Sequence, residues 1–195
     1  MAVMQLGKIA EIQSGYISRA KIEPHEDGSH FLIQARDVDA DRLAYRTDGI
    51  VRFSPGLSRK DWVLKPDDVL FMARGTRNYS ILIKEIPDQV LAAACFFIVR
   101  VSSEEVLPDY LFWYLNQAPV DSYLRRHSGR GVHMPVVRRS VLESINIPIP
   151  PIDIQVKIAE LDELMRDEME LLYKLAEKRE KLITAACFNA VRNNS

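Results

Sequence analysis

Apolar and polar positions follow different rhythms along the chain, and each rhythm predicts a different kind of element. Between Ile152 and Ala190 apolar residues recur in alternating threes and fours. Ile158, Leu161, Met165, Leu172, Leu175, Leu182 and Ala186 fall on one face, with Glu168 and Arg179 interrupting the series. No Gly or Pro follows Pro151, and Ala, Leu, Glu, Lys, Met and Arg dominate. The stretch therefore predicts one helix, roughly 55 Å long at 1.5 Å per residue. Pro148, Pro150 and Pro151 stop whatever precedes it, and Asp153 suits its start as a cap or as a complement to the dipole. Such a helix lies either on its own core or against a partner helix. Its length outruns what a domain of about 150 residues can cover, which favours the partner.

Upstream the pattern is shorter and mixed. Leu6 to Ile12 reads as a short helix or turn leading into Gln13-Ser14-Gly15-Tyr16, and residues 23 to 30 read as loop. His30 to Ala35 reads as a strand before the polar turn Arg36 to Asp41. Residues 46 to 60 carry turn signals at Asp48-Gly49 and Pro55-Gly56. Apolar runs at Val69 to Ala73 and Tyr79 to Ile86 flank Arg74-Gly75-Thr76-Arg77-Asn78, which predicts a hairpin with a polar tip. Val90 to Val101 is the most apolar run and predicts a central strand, with room for a turn among its alanines. Pro108 to Leu124 has Leu and aromatic residues at helical spacing, with Pro108 in the first turn and Pro119 as a break or kink. Its Tyr110, Phe112, Trp113 and Tyr114 suit core packing better than base stacking. Pro135 opens a short helix through Glu143, and Ile145 to Ile149 is a last strand. The sequence thus predicts an α+β globular domain at residues 1–151 and a long coiled-coil helix at residues 152–195.

The chain has 195 residues, of which 47% are hydrophobic and 27% charged, as expected of an ordinary globular protein. Its start lacks the basic, then continuously apolar, pattern of a signal peptide, and no apolar run reaches membrane-spanning length. A cytoplasmic protein with no membrane association is expected. Cys95 and Cys187 suggest neither a disulfide framework nor a metal site. A net charge of −1 argues against an indiscriminate polyanion binder, but the charges are sorted. Between Asp121 and Glu143 there is no acid, while Arg125, Arg126, Arg130, Arg138 and Arg139 fall there. Between Asp68 and Glu85 there is again none, with Arg74, Arg77 and Lys84 present. Much of the negative charge sits in the last helix. This sorting suits one anionic partner and one protein partner.

Signatures of catalysis are missing. There is no Gly-rich loop for a methyl donor, and Pro150-Pro151 lies between Ile149 and Ile152 rather than in an Asn/Asp-Pro-Pro-aromatic motif. The Pro-Asp pairs at 66–67, 87–88 and 108–109 are not followed by the Asp/Glu-x-Lys triplet of metal-dependent nucleases. His25, His30, His127 and His133 lack metal-ligand spacing. His127 and His133 stay open as an acid–base pair or as solvated loop histidines, with no nucleophile signature beside them. No metal or cofactor is expected, and a non-catalytic binding role leads.

Four segments in this order and spacing, LGKIAEIQSGY, DVLFMARGTRN, PDYLFWYL and INIPIPPIDIQVKI before a long helix, resemble the DNA-specificity (S) subunit of type I restriction–modification systems. The resemblance covers nearly the whole chain but only half of a usual member, so it resembles a half-length form with one target-recognition domain. Ile154 departs from the family pattern Pro-Pro-Leu-x-Glu-Gln, which has an acid there. The resemblance implies no activity of the chain's own. It implies a reader of double-stranded DNA that directs a separate adenine-N6 methyltransferase (M) subunit, and through it a restriction (R) subunit, to a bipartite target.

Within that reading Arg74, Arg77 and Asn78 at the hairpin tip have the chemistry for base edges, since Arg suits guanine and Asn adenine, and Thr76 beside them is a further DNA-binding candidate. Arg125, Arg126, Arg130, His133 and Arg138, with Arg139, suit phosphates. A solvated tip and a decorated helix surface are the plain alternatives. In the helix, Leu161, Met165, Glu168, Leu172, Leu175, Arg179, Leu182 and Ala186 form the expected interface of an antiparallel homodimer. That arrangement sets Glu168 against Arg179 and makes every neighbouring layer apolar. A parallel in-register pair would stack like charges instead. The alternative function is a coiled-coil adaptor whose globular domain binds protein.

Overall fold

The apolar run from Val90 to Val101 folds as two strands, β9 (Val90–Ala92) and β10 (Phe96–Val101), with the turn at its alanines. β10 is the inner strand around which the first sheet is built. In the computed structural model, which describes residues 2–18, 21–46, 48–56, 62–87, 89–127 and 136–193, the chain divides into two compact units, residues 1–158 and 159–195.

In the first unit β10 pairs antiparallel with β2 (Ala10–Ser14) on one side and with β7 (Val69–Met72) on the other, and β7 continues to β8 (Ser80–Leu82). A second sheet runs β6 (Val51–Phe53), β3 (His30–Ile33), β9, with β3 and β9 parallel. The ribbon β4 (Val38–Asp39) and β5 (Ala44–Tyr45) follows a 3-10 turn at Ala35–Asp37. β1 (Ala2–Gln5) and β11 (Asn146–Ile149) pair antiparallel, joining the two ends of the globular unit. The single turn α1 (Leu6–Ile9) separates β1 from β2, so the Leu6–Ile12 stretch is half helix and half strand.

Pro119 works as expected. Helix α2 (Pro108–Leu115) stops at Asn116, and α3 (Ala118–His127) restarts with Pro119 in its first turn, where the missing N–H costs nothing. The short helix α4 (Arg139–Glu143) starts with Arg138 as its cap; Pro135, expected to open it, lies outside the described residues.

Two apolar layers hold the unit. Leu6, Ile9, Ile12, Val69, Phe71 and Val99 meet Tyr110, Leu111, Phe112, Leu115, Val120 and Leu124 of α2 and α3. On the opposite side Leu70, Met72, Ile81, Phe96 and Ile98 meet Ile33, Val90 and Ala92 of the second sheet. The aromatic stripe of α2 is thus core, with Tyr110 and Phe112 buried. Gly15 sits where the two sheets meet: a Cβ there would stand 2.3 Å from the Ala93 carbonyl oxygen, so only glycine fits. Asp68 is 1% exposed; its carboxylate is held by Arg100 at 2.6 Å and accepts the Lys65 N–H.

Helix α5 (Ile152–Asn193) starts inside the first unit. Pro151 takes the cap place, its carbonyl accepting from the Ile154 and Gln155 N–H groups, and Asp153 lies in the first turn as a complement to the dipole. The Gln155 side chain is fully buried. It accepts from the Leu107 N–H at 2.9 Å and donates to the Glu105 and Pro150 carbonyls, both at 2.8 Å. Ile158 packs on the layer of Tyr110 and Leu111. The first compact unit thus runs to Ile158, and includes the first turns of the long helix.

Replacing Gln155 by Ala removes all three bonds and strands the Leu107 N–H. It is expected to lower unfolding free energy by about 1–3 kcal/mol, read from the urea midpoint. Gln155→Glu keeps one acceptor but faces two carbonyls with a carboxylate, so it is expected to cost more than Ala. A smaller cost for Glu would mean that the amide does not hold the helix start.

Candidate nucleic-acid interface

The β7–β8 hairpin carries the expected polar tip, and hydrogen bonds on both sides of it fasten its base. The Met72 N–H donates to the Tyr79 carbonyl at 2.8 Å, and Asn78 Nδ2 donates to the Met72 carbonyl at 2.8 Å. Tyr79 is buried, and that burial is the main cause that pushes its phenol up to about 12. Below the tip, Asn116 accepts the Ser80 N–H at 2.9 Å and donates to the Ser80 hydroxyl at 2.9 Å, fastening the hairpin to the end of α2. Arg74, Thr76 and Arg77 therefore stand exposed on a pinned loop, while Asn78 is turned partly inward as one of its fasteners.

A second segment is brought to the tip by the backbone. Arg74 and Val136 form a β-bridge, and the Val137 N–H donates to the Ala73 carbonyl at 2.9 Å, burying the Val137 side chain. Arg138 follows, exposed at the start of α4. The fold thus places Arg74 and Arg138 at the two ends of one short backbone contact, which their separation in sequence does not reveal. A third segment, the β4–β5 ribbon, reaches the tip through an ion pair of 2.9 Å between Asp41 Oδ1 and Arg77 Nη1.

Arg125 and Arg126 lie in the last turn of α3, where positive charge also complements the helix dipole. Arg125 pairs with Asp121 at 3.0 Å, and Arg126 donates to the Ser122 carbonyl. His127 stacks on Tyr123 with ring centroids 4.1 Å apart and donates from Nδ1 to the Tyr123 carbonyl. Arg130 and His133 lie outside the described residues, as does the proposed partner half of a His127–His133 pair.

The stretch from Asp68 to Glu85 is free of acids in sequence but not in space. Lys84 lies 2.7 Å from Asp109 and 3.5 Å from Asp67. Burial opposes the charge on Lys84, but the hydrogen bond and charge of Asp109, with help from Asp67, outweigh it and raise its pKa. Arg139 pairs with Glu143 at 2.7 Å. Of the expected DNA-contact arginines among the described residues, Arg77 and Arg125 are paired with acids, whereas Arg74, Arg126 and Arg138 are not, Arg126 donating to a backbone carbonyl. Asp41 carried no signal in the sequence beyond its place in the polar turn from Arg36 to Asp41.

The second unit is the rest of α5. Leu161, Met165, Leu172, Leu175 and Leu182 are each more than half exposed, and Glu168, Arg179 and Ala186 are exposed with them. Arg166–Asp162, Lys174–Glu170 and Lys181–Glu177 pair one turn apart on other faces. Among the described residues no group of His, Cys, Asp or Glu could hold a metal ion, and no helix is long and apolar enough to cross a membrane.

Residues 1–178 match the family described as type I restriction modification DNA specificity domain. No curated protein matches the chain. Among solved structures it is similar to the HsdS subunit from Thermoanaerobacter tengcongensis, at 17% identity and TM-score 0.61, over 89% of this chain and 39% of that one. It is similar to a chain of a structure concerned with complex assembly and conformational transition of the type I R-M system, at 18% identity and TM-score 0.68, over 93% and 42%. The S subunit of a type I restriction-modification system from M. genitalium follows at 15% identity and TM-score 0.56, over 92% and 42%. The chain spans about two fifths of the length of these structures, and the likeness to them is one of fold. The match over residues 1–178 settles the family: the chain belongs to the type I restriction modification DNA specificity domains, which recognise DNA and are not catalysts.

Proposed function

We propose that the chain reads a DNA sequence for a separate adenine-N6 methyltransferase subunit, and through it for a restriction subunit. The observation that carries this reading is the meeting of the pinned hairpin tip with the Val136–Arg138 segment, which gathers exposed arginines on one rigid platform in a family of DNA specificity domains. Arg74 and Arg77 serve base edges, Thr76 adds a hydroxyl, and Asn78 chiefly holds the tip in shape. Arg125, Arg126, Arg130, His133 and Arg138 serve phosphates, whose neutralisation makes binding salt-dependent.

Substitutions at the two groups are expected to behave differently. Arg77→Ala should relax the target at one base pair, at a cost of about 1–3 kcal/mol there. Asn78→Ala should loosen several positions at once, because it frees the tip. Arg126→Ala should weaken binding to all duplexes and flatten the dependence of log affinity on log salt by about 1. Affinities across salt and single-pair variants decide it; identical behaviour of the two groups would overturn the assignment.

The exposed seam of α5 is the proposed interface of an antiparallel homodimer centred between Tyr173 and Lys174. Glu168 then faces Arg179, Leu161 faces Ala186, Met165 faces Leu182, and Leu172 faces Leu175. Leu164 and Leu171 on one edge, with Met169 and Ile183 on the other, extend the exposed apolar face beyond a two-stranded seam. That extra width supports a further helix from the methyltransferase subunit. Two-fold symmetry would give a target of two inverted half-sites with an unread spacer. In sedimentation, Glu168→Arg and Arg179→Glu should each weaken the dimer and together restore it. Single variants that leave the dimer intact would refute the register.

A further inference from the structure

We infer that Asp41 sets the selectivity of Arg77, holding its guanidinium for a base edge and keeping it off the phosphates; the inference rests on the DNA reading proposed above. The Arg77–Asp41 pair joins residues far apart in sequence, yet its side chains are 60% and 79% exposed. An ion pair so solvated contributes little to folding, so stability does not explain it. An acid beside the tip of a polyanion reader also works against affinity, so tighter binding does not explain it either.

The geometry suits orientation. Asp41 takes one Nη1 donor of Arg77, and the guanidinium has five donors in a fixed plane, so others remain for the paired acceptors O6 and N7 of guanine. The ribbon that carries Asp41 is itself fixed. Asp39 Oδ1 accepts the N–H groups of Asp41 at 3.0 Å and Arg42 at 3.1 Å. Leu43 holds φ at +50°, an uncommon conformation for leucine, while its side chain packs against both apolar layers. The Asp41 carboxylate is thus presented by a turn that does not depend on it. A carboxylate there repels phosphate oxygens and accepts from a cytosine N4 amine, so it penalises backbone capture of Arg77 while tolerating a G·C edge.

The test uses the full chain with Asp41→Asn, Asp41→Ala, Arg77→Lys and Arg77→Ala, each checked for an unchanged melting profile. Affinity is measured for the duplex it selects from a random library, for single-pair variants of it, and for random duplex of equal length. Asp41→Asn and Asp41→Ala should bind random duplex more tightly and lose preference at the same base pair that Arg77→Ala relaxes. The freed arginine adds a phosphate contact, so the salt slope should steepen by about 0.9, roughly a threefold change between 50 and 200 mM. Arg77→Lys should keep the slope of the Asp41 variants' parent and lose the base preference. If neither Asp41 variant raises random-duplex binding while Arg77→Ala still relaxes one position, Asp41 is a bystander and the DNA reading stands. If the unaltered chain shows no salt-dependent duplex binding, both fail together.

Discussion

A buried amide must place both its donor and its acceptor, and Gln155 is where that requirement ties the chain together. Its side chain answers the Leu107 N–H and the Glu105 and Pro150 carbonyls at once. These groups belong to the loop after β10 and to the end of β11, which pairs with β1 near the other terminus of the globular unit. The first turn of α5 is therefore as much a part of the recognition unit as its strands are. No apolar residue could replace Gln155 without leaving backbone groups unanswered.

Much of the fold was legible because it was local. The hairpin around residues 74–78, the break at Pro119 and the uninterrupted helix after Pro151 rest on turn chemistry, proline sterics and periodicity, which a sequence displays directly. The turn among the alanines was visible for the same reason. What stayed hidden was long-range. The β1–β11 pairing joins the two ends of the unit, and Ile158 looks like a seam residue until its packing on Tyr110 and Leu111 is seen. The Lys84 stretch looked free of acids because its partners, Asp67 and Asp109, are neighbours only after folding.

The candidate site shows the same division. The arginines at the tip were visible as composition, but their standing was not. Folding leaves Arg74 and Arg138 open, gives Arg77 to Asp41, and gives Arg125 and Arg139 to acids one turn away. Exposed pairs of this kind contribute little to folding. Asn78 has the chemistry of an adenine reader in sequence, yet its amide fastens the hairpin to the Met72 carbonyl. A loop that reads sequence needs such fasteners, because a base contact is only as selective as its placement is rigid.

The central claim is that this chain supplies sequence and a separate subunit supplies chemistry. Mixing the chain with a type I methyltransferase subunit, the methyl donor and a random duplex library, then sequencing the methylated molecules, tests this most directly. The expected result is one motif of two inverted half-sites around a spacer of fixed length, methylated at adenine, and no methylation by the chain with donor alone. Methylation scattered without a shared motif, or a motif unchanged when this chain is left out, would contradict it.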